Sequence, residues 1–252
     1  MSLSSRNIAP LSLLGRAALV AVAVGWSTFA AAQSGDTSEF SPPGSLIDQI
    51  CRGLPLPSIQ STDPKKCAAT IYLGIQNNTT QPNMFGIGAS FVPPYEYTFG
   101  NSYYIAGSLS RVLGEIGDLA DVEIETGVGQ RFGSLDQEEV WIALYGRWKY
   151  FPWNNYLLTT VAVSTGLSYA SAVPEYEVMS SGINMGQRLL HFLSPEITFA
   201  LPSHPDTEFV IRNFHRSGGG EIWGTDVPVY GSIFHGVAGG VQYLSAGLRQ
   251  HF

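Results

Sequence analysis

Hydrophobic and polar positions alternate with a period of two along most of this chain. Between residues 119 and 132, Val122, Ile124, Thr126 and Val128 fall on one face of an extended segment, and Glu123, Glu125, Gly127, Gly129 and Arg131 on the other. Ile142 and Leu144 alternate with Trp141, Ala143, Tyr145 and Arg147. Leu157, Val161, Val163 and Leu167 alternate with Thr160, Ala162, Ser164, Gly166 and Ser168. Successive side chains of a strand point to opposite faces, so each stretch predicts a strand with one apolar face and one small or polar face. Eight such stretches are predicted, at approximately 69–76, 103–113, 119–132, 138–149, 156–171, 188–201, 206–217 and 237–252. A tilted strand crosses a bilayer in about 9–11 residues, a length that all but the first stretch reach.

The connections carry a second pattern. Those after strands two, four and six are short, at 114–117, 150–155 and 202–205. Those after strands one, five and seven are long, at 77–102, 171–187 and 218–236, while the one after strand three, 133–137, is short. Bacterial membrane barrels have short periplasmic turns, longer outer loops and an even strand number. The predicted fold is therefore all-β: an eight-stranded antiparallel transmembrane β-barrel, with both strand ends in the periplasm. A soluble lipocalin-like barrel is the alternative, and it would turn the charged faces outward and leave an apolar interior.

Residues 1–32 read as a signal peptide. Arg6 and Arg16 precede or flank an apolar run from Ala17 to Val24, and Ala30 and Ala32 fit a cleavage site after Ala32. Residues 33–67 contain Ser41-Pro42-Pro43-Gly44, Leu54-Pro55-Leu56-Pro57 and Asp63-Pro64, and proline removes ladder donors, so they predict an extended periplasmic arm. Cys51 and Cys67 are the only cysteines and are expected to pair in an oxidising compartment. Residues 68–252 form the barrel domain.

Composition supports this organisation. Charged residues make up 13% of the chain against about 25% in soluble domains, which suits strands that face lipid. Removing the two arginines of residues 1–32 from 13 basic residues leaves 11 against 20 acidic ones, a charge of −9. Nucleic acid is excluded as a partner, since phosphate binding needs a basic face. Two cysteines without a nearby histidine do not make a zinc site, and no cofactor is expected.

Glu123, Glu125, Arg147, Glu196 and Arg212 are predicted to face the lumen and to pair there, because unpaired charge does not survive burial. A barrel this small is filled by its own side chains, so no pore is expected. Ser194 and Glu196 share the lumen-facing register, with Glu196 a partner for Arg212, while His191 has the opposite parity. Tyr145, Trp148, Tyr150, Phe151, Trp153 and Tyr156 surround a periplasmic turn and read as an interfacial girdle.

Candidate chemistry lies at the outer end of the seventh strand, in Asn213-Phe214-His215-Arg216-Ser217. Phe209, Ile211, His215 and Ser217 share the apolar face, while Arg212 and Arg216 face the lumen. An imidazole beside a serine hydroxyl can remove its proton and make it a nucleophile, and an acidic group then orients the imidazole. His-x-Ser also arises by chance in a serine-rich chain.

An eight-stranded outer-membrane barrel with His-x-Ser at the outer end of its penultimate strand resembles the PagL family of lipid A 3-O-deacylases. The resemblance covers residues 69–252 in architecture and two residues in motif. It implies Ser217 as nucleophile, His215 as base, and the ester-linked acyl chain of lipid A as substrate. The family's third residue is a glutamate on the final strand, but no Asp or Glu follows Asp226 here. Glu221, freed by Gly218-Gly219-Gly220, is the candidate acid and Asp226 the next. The terminal Phe252 resembles the signal read by the barrel-assembly machinery, although Gln250 departs from the aromatic expected there. A non-catalytic barrel with a structural, adhesive or lipid-binding role is the alternative function. The expected partners are thus lipid A or lipopolysaccharide and the assembly machinery.

Overall fold

A computed structural model describes residues 67–86, 90–173, 186–218, 234 and 240–252. The predicted signal peptide and nearly all of the predicted arm lie outside the described residues. Cys67 opens the first strand, and no free cysteine occurs among the described residues. Cys51 lies outside them.

The strands are β1 (Cys67–Asn77), β2 (Phe99–Ile116), β3 (Ala120–Gly133), β4 (Gln137–Trp148), β5 (Leu158–Ala170), β6 (Leu189–Phe192), β7 (Glu196–Leu201), β8 (His204–Ser217) and β9 (Gly240–His251). All pair antiparallel, and β9 pairs β1, so the sheet closes on itself. The predicted sixth strand is two pieces of one stave. Pro195 has no N–H to give the ladder, and residues 193–195 interrupt it without shifting the register. Counted as staves, the ring has eight strands.

The ends of the barrel follow the predicted loop lengths. Strand β2 runs on to Ile116, and only residues 117–119 turn into β3, with Gly117 at φ +54°. That conformation suits glycine because it has no Cβ to clash. Leu201 pairs with His204 across the turn between β7 and β8. Phe252 N–H donates to the Cys67 carbonyl at 2.9 Å, so the two ends of the barrel sheet meet at the rim that carries the short turns.

Large apolar side chains point outward. Val122, Ile142, Leu144, Val161, Val163, Leu167, Phe209 and Leu248 are exposed, while their sequence neighbours face in. This inverts a soluble barrel and removes the lipocalin-like alternative. Among the described residues no helix is long and apolar enough to cross a membrane. The crossing is made by strands, as in bacterial outer-membrane barrels, and this chain is one of them.

The lumen is filled in layers. In the periplasmic half, Glu123, Glu125 and Glu196 meet Arg147, Arg212 and Arg249. Arg147 donates to Glu123 at 2.6 Å and Glu196 at 2.8 Å, Arg212 to Glu125 at 2.6 Å, and Arg249 to Glu196 at 2.7 Å. Arg212 also pairs with Glu196 and lies over the Tyr72 ring, 4.6 Å from its centroid. The expected network had two arginines for three glutamates. Arg249, on the inward face of the final strand, supplies the third positive charge.

Above this layer, Tyr72, Tyr104, Trp141, Phe192 and Phe214 form an aromatic core with centroids 5.0–6.0 Å apart. The Trp141 ring lies against Gly127, where a Cβ would collide with it. Tyr145 belongs to the lumen and donates to Glu125, which corrects its assignment to the girdle. Trp148, Tyr150, Trp153 and Tyr156 remain exposed at the periplasmic turn, where a girdle would sit.

Candidate functional site

Strand parity places His215 and Ser217 on the outer wall. Glu208, Val210, Arg212, Phe214 and Arg216 are buried toward the lumen, and Phe209 and Ile211 are exposed on the other face. His215 Nε2 and Ser217 Oγ lie 2.9 Å apart. Residues two apart on a strand share a face, so the backbone itself sets this contact. The pair sits in the last turn-length of β8 at the outer rim.

Neither residue is open to its surroundings in the way that its lipid-facing parity implied. Ser217 is only 8% exposed and His215 is half-buried. Two described parts of the chain lie at this end of the sheet: Phe234, whose ring centroid is 6.4 Å from that of His191, and the segment after β1. Across the sheet, His215 has Gln242 on β9 as its register partner on one side. On the other side the Leu193 N–H donates to the His215 carbonyl at 3.0 Å. These same two neighbours bond the segment that follows β1. Gln242 Nε2 donates to the Thr79 carbonyl, and Gln81 Nε2 donates to the Leu193 carbonyl at 3.5 Å. Thr79 and Gln81 therefore bridge the positions that flank His215. A short helix, α1 (Gln81–Met84), ends the bridge, and the Asn77 amide reaches the Met84 sulfur at 3.3 Å. This strap was not foreseen from the sequence.

The outer wall around the pair is polar. Gln242 Oε1 accepts from Asn213 Nδ2 at 3.2 Å. His191 is the register partner of Ser217, and its Nε2 lies 2.9 Å from Thr165 Oγ1. His191 thus faces the same side as Ser217, while Ser194 and Glu196 point inward as predicted. Arg216 faces the lumen and donates to the carbonyls of Gln187 and Arg188.

The third member of the site is where sequence and structure part. Glu221 and Asp226 lie outside the described residues. No Asp or Glu occurs among the described residues of the strap, β5, β6, β9 or the outer half of β8. His215 Nδ1 is buried without a hydrogen-bond partner. The residue opposite it on the final strand is Gln242.

No family model matches the chain, and no curated protein is found similar to it. Several solved barrels are similar to it in architecture, three natural ones among them. The outer membrane enzyme PagL has a TM-score of 0.43 and 9% identity, over 73% of this chain and 98% of that one. Neisserial surface protein A gives 0.41 and 8%, over 74% and 96%. Ail, the attachment invasion locus protein of Yersinia pestis, gives 0.34 and 10%, over 75% and 99%. Likenesses at this level transfer no role to the present chain.

Proposed function

We propose that this outer-membrane barrel is a serine ester hydrolase of the outer leaflet, acting on an ester-linked acyl chain of lipid A. The observation that carries the reading is the 2.9 Å contact between Ser217 Oγ and His215 Nε2 on the outward face at the outer rim. A lumen-facing pair would meet a filled barrel, whereas this pair is on the outward face of the wall, with Ser217 nearly buried there. In the reaction His215 takes the hydroxyl proton as Ser217 Oγ attacks the ester carbonyl. The C–O bond to the sugar breaks, and the proton passes to the departing alkoxide. Water, deprotonated by the same imidazole, then attacks the acyl carbon; the bond to Ser217 Oγ breaks, the fatty acid leaves and the imidazole returns the proton to Oγ.

The competing reading is a non-catalytic barrel. It is favoured by the absence of an Asp or Glu beside His215 among the described residues, and by the His215 Nδ1 that no hydrogen bond satisfies. Mass spectrometry of lipid A incubated with the refolded protein separates the two. Release of a 3-hydroxy fatty acid is expected, with Ser217→Ala and His215→Ala each abolishing it while the variants keep heat-modifiable gel migration. The two losses are not expected to add, because the pair acts as one unit. No release by the wild type leaves the non-catalytic reading.

A further inference from the structure

We infer that Gln242 is the residue that orients His215, its side-chain carbonyl taking the place that a carboxylate holds in other serine hydrolases. The inference rests on the hydrolase reading for its meaning, but its geometry stands on its own. Gln242 and His215 are directly opposed on β9 and β8, and both face outward. Side chains so opposed have Cβ atoms about 4.5–5.5 Å apart. The Gln242 amide is held in one orientation by two bonds. Its NH2 group donates to the Thr79 carbonyl, and its oxygen accepts from Asn213 Nδ2. A carbonyl oxygen has two lone pairs, so one remains for a further donor. His215 uses Nε2 toward Ser217, and its buried Nδ1 has no partner. For Nε2 to accept the serine proton, the neutral ring must carry its proton on Nδ1, and that N–H needs an acceptor.

The same geometry explains why the position holds glutamine. A carboxylate has no N–H, and it would face the Thr79 carbonyl without a donor between them. Gln242 does two things that glutamate cannot do together: it pins the strap and offers a carbonyl to the imidazole. Among the described residues, the titratable group beside the pair on this face is His191, opposite Ser217. Arg212 and Arg216 lie behind the wall, toward the lumen.

Nitrogen-15 NMR of histidine-labelled full-length protein in detergent micelles, assigned with His215→Ala, reads the ring tautomer at neutral pH. The wild type is expected to hold the Nδ1–H form. Gln242→Glu keeps an acceptor and loses the strap donor, so it should retain that form. Gln242→Leu loses both and should give a tautomer mixture. Glu221→Gln should leave the spectrum unchanged. With lipid A as substrate, Gln242→Leu should lower kcat at least tenfold with little change in KM, and Gln242→Glu should equal or exceed the wild type. An unchanged tautomer in Gln242→Leu, or a shift in Glu221→Gln, overturns the inference. If the tautomer follows residue 242 but no protein releases fatty acid, the orienting contact stands and the hydrolase reading falls.

Discussion

Replacing Arg212 by methionine tests the buried charge layer. Methionine fills most of the volume with an apolar chain, so the change isolates the guanidinium. Arg212 is fully buried and holds two carboxylates, which do not suffer equally. Glu196 keeps Arg147 at 2.8 Å and Arg249 at 2.7 Å. Glu125 loses the guanidinium bonds at 2.6 and 2.9 Å and keeps only Trp141 Nε1 at 2.9 Å, Ser108 Oγ at 3.1 Å and the Tyr145 hydroxyl at 3.2 Å. Neutral donors are roughly half as strong as charged ones. Breaking one side of a buried ion pair costs about 3–5 kcal/mol, because it strands a charge. A loss of ~4 kcal/mol lowers the folded-to-unfolded ratio roughly a thousandfold.

The companion variant decides whether that stranded charge is the cause. Glu125→Gln removes the charge and keeps an oxygen for Trp141 and Tyr145. In the Arg212→Met background it should restore about 1–3 kcal/mol, the size of coupling expected between contacting residues. Urea unfolding in phospholipid vesicles, followed by tryptophan emission, measures both. Trp141 touches Glu125 directly, so its emission reports on this layer. The reasoning fails if Arg212→Met stays within about 1 kcal/mol of the wild type, or if the double variant is no more stable than the single one.

Two further outcomes are expected. Ile142 is exposed midway along β4, so Ile142→Arg should cost about 2–4 kcal/mol in a bilayer and destroy insertion in the thinnest margins of stability; an unchanged unfolding midpoint would argue against a lipid-facing wall. Cys51 and Cys67 are expected to be disulfide-linked in the exported protein, and alkylation before reduction, read by mass spectrometry, should then label neither; closing that loop adds about 3 kcal/mol in the chain-entropy model.

The staves were legible because their signal is local. A period of two in residues 119–132, 138–149 and 156–171 names the inward and outward faces without knowledge of any partner strand. The inward carboxylates followed from the same parity. What was missed depends on pairing between distant segments. Arg249 completes the charge layer, but only the register of β9 against β1 and β8 brings it to Glu196 and Glu208. Gln242 faces His215 through a register set across residues 218–239, and a slip of one residue would have turned it to the lumen. Its one sequence-level signal was weak: a polar residue in the outward column Gln242, Leu244, Ala246, Leu248. The strap left none, since Thr79 acts through its backbone carbonyl.

The distribution of polar groups on the outer wall bears on what the site is for. Lower on β8 the outward positions are Phe209 and Ile211, as a lipid-facing strand requires. From Asn213 upward the same column turns polar, and its neighbours Gln242, His191 and Thr165 are polar as well. Polar groups facing hydrocarbon cost free energy unless they are bonded, so this patch opposes insertion. The strap offsets part of that cost by bonding Gln242 and the Leu193 carbonyl. It does so without consuming the Ser217–His215 contact, and it leaves His215 Nδ1 and Asn213 Oδ1 unmatched. A wall shaped for stability alone would continue the apolar column to the rim and need no strap. A hydroxyl and an imidazole kept in contact at that position are therefore a cost to insertion that a purely structural rim has no need to carry.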